Sequence, residues 1–417
     1  MTGRWNDPDV VFKPGTAGPT GVSPEEVSVT GQVEDTPLPE TGRSGGTEVF
    51  SAKNSTSRLL VNSAPLCLHF QTMSGAVGSP VLLTTLLRDV SRSFYLTLRV
   101  LPRRVRAPIG LAYLLARATD TLADASSVPV DVRRRALESL RDRILDGQAP
   151  QPQWAEFDVN SPEVTDAERV LLQRIPEALD ILNHSQVWQK ESIRTVLETI
   201  VGGQILDLDR FGAIRPGEGV VALPNAEALD DYTYRVAGCV GEFWTRVCRN
   251  QLFPAASLDD AAFQADGIRF GKGLQLINIL RDLPKDLQAG RCYLPCDELA
   301  RVGLSPADLL DLSVECRLRP VYDRWLHQAE GHLAAGWNYV RSIPPNQVRV
   351  RLACAWPILI GVQTLRRLRV LGVLDARRRV KISRADVRSI LWATLWRLPF
   401  RRRWEGLFES MRSEPIS

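Results

Sequence analysis

Two sets of carboxylates repeat at helical spacing and could do chemistry together. Tyr113, Arg117, Asp120 and Asp124 stand at i, i+4, i+7 and i+11, which places them on one helix face. Gln275, Asn278, Asp282 and Asp286 stand at i, i+3, i+7 and i+11 and form a second stripe. Each stripe is embedded in apolar sequence, LAYLLA before the first and FGKGLQLINIL before the second. Polar groups held among apolar ones must meet a polar partner, because burying them unpaired costs free energy. A lone Asp-x-x-x-Asp is most often a solvated helix face. Two of them, each with amide or basic residues on the same stripe, are much harder to read that way. Carboxylates one turn apart suit Mg²⁺, a hard cation that takes one or two carboxylates and completes its shell with water and phosphate oxygens. Two such helices face to face would gather Mg²⁺ around a diphosphate and ease its departure. Apolar walls would shelter a carbocation from water.

Pro284 stands between Asp282 and Asp286. It lacks an N–H and crowds the carbonyl of Leu280, so a kink or restart is expected there, with Asp286 displaced from plain i,i+4 geometry.

The elements that must carry these stripes are helices. Apolar residues recur at three- and four-residue spacing through VLLTTLLRDVSRSFYLTLRVLP, which ends at Pro102. IGLAYLLARATDTLAD follows Pro108, and VDVRRRALESLRDRIL comes next, polar on one face. After a loop at 147–163, the periodicity returns in DAERVLLQRIPEALDILN and QKESIRTVLETIVGGQILDLDRF, with further helices expected at 226–252, 259–289, 320–341 and 348–372. Runs of alternating β-branched residues are almost absent. The fold class is therefore all-α, a helical bundle. Residues 1–72 are rich in Gly, Pro, Ser, Thr and Glu and are expected to be a disordered extension. Met73 is a second candidate start. The remainder divides into a helical domain over 73–387 and a basic aromatic tail over 388–417.

Composition excludes several other classes. The 417 residues are 44% hydrophobic and 24% charged, enough for a sizeable core. A net charge of +4 argues against a nucleic-acid-coating protein. The seven cysteines show no zinc-knuckle spacing, and the four histidines form no HExxH. The cysteines read as reduced thiols of a cytoplasmic protein. The N-terminus lacks the basic-then-apolar order of a secretory signal. No stretch is expected to supply the apolar length of a membrane-spanning helix.

SRSFYLTLRVLP (91–102), YLLARATDTLAD (113–124), DYTYRVAGCVGEFW (231–244) and GLQLINILRDLPKDLQAGRCYLP (273–295) resemble, in order and spacing, the squalene/phytoene synthase family. The resemblance runs from about Val81 to Val387. It implies an isoprenoid synthase bundle around a central apolar tunnel, and a prenyltransferase that joins two molecules of farnesyl diphosphate. It also implies that Asp120, Asp124, Asp282 and Asp286, with Asn278, bind Mg²⁺. Arg92 and Arg117 would contact diphosphate, a role suited to the planar guanidinium fork. Ser91, Gln275, Arg281 and Arg291 would belong to the substrate site. Phe94, Tyr113, Val236 and Val240 would line the tunnel. Tyr232 would steer the proton loss that closes a cyclopropane ring.

Members of this family differ in where the reaction stops. CAWPILIGVQTL (354–365) and VKISRADV (380–387) are similar to segments of the squalene synthases, the second to one that lies near the nicotinamide cofactor phosphates. The resemblance thus implies NADPH held by Lys381 and Arg384, with Arg377–Arg379, and squalene as product. A solvated helix end accounts for the same basic run. Phytoene, dehydrosqualene or presqualene diphosphate without reduction is the alternative within the family, and a non-catalytic isoprenoid-binding protein the alternative outside it. In the tail, Trp392, Trp396, Phe400 and Trp404 alternate with arginines. That pattern fits a helix lying on an anionic membrane, and equally a last helix packed on the bundle.

Overall fold

A computed structural model describes residues 85–91, 94–151, 157–215, 217–378 and 380–413. The N-terminal extension, Cys67 and Arg92 lie outside them. The chain enters through two short helices, α1 (Leu87–Ser91) and α2 (Phe94–Val100), and then α3 (Arg103–Asp124), which carries the first stripe. Pro102 is the N-cap of α3, and Pro108 lies inside that helix rather than ahead of it. A proline in the second turn costs the one intrahelical bond its N–H would have made, and the helix continues through it. α4 (Val130–Leu145) is followed by α5 (Asp166–Gln173) and α6 (Ile175–Asn183), which split the expected 166–183 helix at Arg174, ahead of Pro176. α7 (Val187–Phe211) closes this half.

The second half begins with α8 (Ala226–Thr233), a π-helical turn over Tyr234–Gly238, and α9 (Cys239–Leu252). The widened turn leaves 226–252 continuous while turning Tyr232 and Val236 into the core. α10 (Asp260–Gln288) carries the second stripe. It lies so close to the preceding helix that a Cβ on Gly271 would collide with the carbonyl of Ala237, and one on Gly241 with that of Gly267. α11 (Cys296–Arg301), α12 (Glu315–Ser342) and α13 (Val348–Val370) complete the core, and α14 (Arg384–Arg397), α15 (Arg401–Glu405) and α16 (Leu407–Ser413) cover it.

Two short strands pair in parallel, β1 (Val221–Leu223) and β2 (Arg291–Pro295), with Val221 opposite Arg291 and Ala222 opposite Cys292. They are too short to leave an alternating signature. β2 nevertheless holds Arg291 and Tyr293 rigidly after the Gly290 turn, where φ is +76°.

The buried apolar residues form two clusters. One is built on α1–α7 and part of α9, the other on α8–α13 and the C-terminal helices. The first stripe belongs to a helix of one cluster and the second to a helix of the other. Val348–Val370 has the length and apolarity of a membrane span, contrary to the sequence expectation, but 72% of its apolar window is buried inside the protein. It is the central core helix, which needs the same composition. The six described cysteines are all free thiols.

Candidate active site

On α3, Asp120 is buried and accepts a hydrogen bond from Gln204 Nε2 of α7 at 2.7 Å. Arg117 lies one turn back, 4.0 Å from Asp120 and ion-paired to Glu168. Glu168 has a second task. It is the N3 residue of a capping box at the start of α5, accepting from the Thr165 backbone N–H at 2.9 Å and hydroxyl at 2.8 Å. Burial raises the Glu168 carboxyl, but Arg117 and the Thr165 donors outweigh it and hold it below the usual range. Thr165→Ala is expected to lower stability by about 1 kcal/mol through loss of the cap. Urea unfolding would check this.

Asp124 is half-buried, and its Oδ1 is enclosed without a hydrogen-bond partner. It borders a pocket with Arg117, Thr121, Glu163 and Glu168. Arg133 of α4 is buried beside it, donating to the Ala123 carbonyl at 2.9 Å and attracted by the Asp124 charge.

The second stripe does not break at Pro284. α10 runs without interruption from Asp260 to Gln288. The Leu280 carbonyl, deprived of the N–H at position 284, accepts instead from the buried Tyr322 hydroxyl of α12 at 2.9 Å. The helix therefore does not restart after Pro284, and a side chain supplies the missing donor. Gln275 and Asn278 are buried on the stripe, with Asn278 Nδ2 3.5 Å from Gln275 Oε1 and Asn278 Oδ1 unpartnered. Asp282 pairs with Arg281 at 2.7 Å. Asp286 turns toward different neighbours. Burial pushes its carboxyl up to about 7, Arg291 opposes this, and Asp282 and Asp207 add to it.

The two stripes meet around Tyr232 and Arg291, which the resemblance marks, and around Asp207 and Tyr293, to which it gives no role. Asp207 of α7 is buried, and burial raises its carboxyl against the pull of Arg291 and Tyr293, while Asp124 adds to the rise. Tyr293 Oη donates to Asp207 Oδ2 at 2.9 Å, and Asp207 Oδ1 has no partner. Tyr232 stacks on Tyr293 with ring centroids 4.7 Å apart, and their hydroxyls hydrogen-bond. Burial, with Asp207 nearby, holds the Tyr232 hydroxyl well above its usual range, so it stays protonated. Arg291, mostly buried, keeps its charge because Tyr293, Asp286, Asp207 and Asp124 surround it. Asp124 from one cluster and Asp286 from the other thus share one cation and one buried carboxylate.

Other expected site residues fall elsewhere. Ser91 is buried, and its hydroxyl returns to the Leu87 carbonyl of its own helix. The Tyr113 hydroxyl reaches the Val90 carbonyl at 3.4 Å. The side chain of Phe94 lies outside the described residues. Val236 is buried and Val240 is 38% exposed, the first in the π-helical turn and the second in the first turn of α9. Lys381 and Arg384 are exposed at the start of α14, where the Lys381 carbonyl accepts from Arg367. Arg377 lines a cavity of about 350 Å³ together with Pro284, Leu287 and Leu374.

Among the described residues, no three acidic, histidine or cysteine side chains converge into a ready-made metal cage. The residues present still fit Mg²⁺, which asks for one or two carboxylates and takes its remaining oxygens from water and phosphate. Enclosed, unpartnered oxygens on Asp124 and Asp207, and a carboxyl on Asp286 held near neutrality, are what such a cation relieves. Arg117, Arg133 and Arg291 can receive a diphosphate.

Known proteins resemble this chain in sequence and in fold. The family model described as squalene/phytoene synthase matches residues 87–386. The chain is 28% identical to a presqualene diphosphate synthase of Zymomonas mobilis, over 73% of this chain and 88% of that protein. It is 27% identical to one of Rhodopseudomonas palustris, over 72% and 91% respectively. A phytoene synthase of Rhodobacter capsulatus is 29% identical over 62% of this chain and 65% of its own length. In shape the chain is similar to TcSQS in complex with BPH1237, with TM-score 0.62, 20% identity, and coverage of 80% of this chain and 92% of that one. A ligand-bound dehydrosqualene synthase gives TM-score 0.54 at 22% identity, covering 76% and 95%. These likenesses show the all-α isoprenoid synthase fold. Both polar stripes, Tyr232 and Arg291 all fall inside the matched span, and the chain belongs to the squalene/phytoene synthase family.

Proposed function

We propose that the chain condenses two molecules of farnesyl diphosphate head to head and releases presqualene diphosphate, with Mg²⁺ as its metal. The observation that carries this reading is the meeting of Asp124 and Asp286 around Arg291 and Asp207, beside the buried Tyr232–Tyr293 pair. The choice of product is supported by the two presqualene diphosphate synthases, each matched over about nine tenths of its length. Asp120, Asp124, Asp282 and Asp286 would hold Mg²⁺, which when bound supplies positive charge to the departing diphosphate. Arg117, Arg133 and Arg291 orient the diphosphates through charge-assisted hydrogen bonds. In the condensation one C–O bond breaks, two C–C bonds close the ring, and one proton leaves. Tyr232 stands in the apolar core with a protonated hydroxyl, hydrogen-bonded to Tyr293, which donates in turn to Asp207. That chain fixes the Tyr232 oxygen where a departing proton can be received and passed on. Buried Val236 and its apolar neighbours keep water from the cation.

A second reading continues with NADPH to squalene. It is favoured by Arg377, which lines a cavity against Pro284 and Leu287 of the second aspartate helix, on the segment that leads to Lys381 and Arg384. Product analysis separates the two. Purified protein with farnesyl diphosphate and Mg²⁺ is expected to give presqualene diphosphate with or without NADPH. Squalene appearing only with NADPH would replace the first reading by the second. A C40 product from geranylgeranyl diphosphate, with no turnover of farnesyl diphosphate, would reject both.

A further inference from the structure

The C-terminal helices carry a face that the condensation does not use. α14 is fixed to the bundle on one side. Its Ser383 cap forms a full capping box with Asp386, Trp356 Nε1 of α13 donates to Thr394 Oγ1 at 2.9 Å, and Ile390 and Thr394 are fully buried. Trp392 and Trp396 lie two residues beyond these on the helix, about 200° around the axis, so they point away from the protein. They are 71% and 76% exposed. Leu395 and Phe400, at 45% and 51%, extend the same apolar strip. Trp404 is the exception to the sequence pattern. It is buried against Trp337, with centroids 5.7 Å apart, and beneath the Arg351 guanidinium. It anchors α15 to the core instead of joining the strip.

The charge around the strip is net positive. Residues 384–413 hold seven arginines against three carboxylates. Asp386 is tied to Arg367, and Glu405 to Arg401 at 2.8 Å. Arg388, Arg402 and Arg403 are exposed and have no ion-pair partner among the described residues. Arg403 lies over the Phe400 ring at 5.1 Å. Two tryptophans at i,i+4 on a pre-formed helix, rimmed by unneutralised arginines, match a surface that is apolar within and negatively charged at its edge. Tryptophan and arginine are enriched at protein interfaces too, and it is the excess of one charge sign around an aromatic strip on one helix face that favours a bilayer.

We infer that the Trp392–Trp396–Phe400 face is a docking surface for an anionic lipid bilayer, aromatic side down and arginine rim at the headgroups. This is independent of which product the enzyme releases. The test uses the full chain with vesicles of phosphatidylcholine alone and of phosphatidylcholine mixed with phosphatidylglycerol, read by co-sedimentation. Wild type is expected to bind the mixed vesicles and to be released by salt. The exposed double variant Trp392→Ser/Trp396→Ser should bind at least about tenfold more weakly, with unchanged melting temperature. Arg402→Gln/Arg403→Gln should lose about fivefold per arginine and flatten the salt dependence. Three outcomes would overturn the inference: no binding of wild type to the mixed vesicles, binding unaffected by both variants, or a wild-type dimer that the tryptophan variant converts to monomer while lipid binding is absent. The last would identify the face as a contact between copies of the chain.

Discussion

Asp124→Asn should abolish condensation while leaving the protein as stable as wild type. Asp124 Oδ1 is enclosed and makes no hydrogen bond, so an amide there breaks no hydrogen bond at that atom, and what the fold loses is the attraction to Arg133 and Arg291. Replacing it by an isosteric amide relieves the enclosed oxygen of its charge while giving up that attraction, and the melting temperature is expected to stay within a few degrees of wild type. Function depends on that charge. A neutral amide cannot offset a divalent cation, and Arg133 and Arg291 would lose one of the anions that sets their orientation. Turnover is expected to fall on the order of a thousandfold, or about 4 kcal/mol in barrier. Diphosphate release would measure it, and chelating Mg²⁺ from wild type should give a loss of similar size. Activity within tenfold of wild type would remove Asp124 from the metal set. Asp120→Asn is a poorer probe, because Asp120 accepts from Gln204 and faces Arg117, so its loss would disturb packing as well as chemistry.

The two stripes were readable because helical periodicity makes a polar residue in an apolar helix conspicuous. Asp120, Asp124, Gln275, Asn278 and Asp286 needed nothing more than spacing and burial logic. Asp207 lies in ILDLDRF, where Asp209 is equally prominent. Only the fold shows that Asp209 is at the surface with Arg134 while Asp207 is buried with Tyr293. A signal did exist. Gln204 and Asp207 are spaced i, i+3 in an otherwise apolar run, the same pattern that marked the aspartate helices. Tyr293 gave no such signal, because its importance comes from a strand pairing between residues about seventy positions apart.

The helices themselves are legible in the sequence almost throughout, and the differences cluster at prolines. Pro108 reads in the sequence as a boundary but lies in the second turn of α3. Pro176 split one expected helix in two by ending α5. Trp404 looked like its exposed neighbours because burial depends on where α15 folds back, which local pattern does not encode. Proline effects are local rules, and in each case tertiary packing decided how the rule was met.

Pro284 gives the sharpest instance and the second large effect. Proline in a helix interior costs about 3 kcal/mol, partly through the carbonyl it leaves without a donor. Tyr322, forty-two positions further along the chain, supplies that donor from α12. Tyr322→Phe keeps the ring and its packing but strands the buried Leu280 carbonyl, and should destabilise the protein by about 1–3 kcal/mol. Adding Pro284→Ala restores a backbone N–H at the same carbonyl, so the double variant should recover most of that loss. In the Pro284→Ala background the tyrosine hydroxyl becomes nearly dispensable, giving a coupling energy of about 1–2 kcal/mol in a double-mutant cycle measured by urea unfolding. Additive losses would show that the hydroxyl matters for some other reason. The same cycle read by activity bears on the site: Asp286 lies two residues past Pro284, on the turn that Tyr322 holds in register. Tyr322→Phe should therefore raise the Mg²⁺ concentration needed for half-maximal turnover, and Pro284→Ala should bring it back. A second stripe that stayed competent without this hydrogen bond would mean that the last turn of α10 is held by its β2 and α8 neighbours alone.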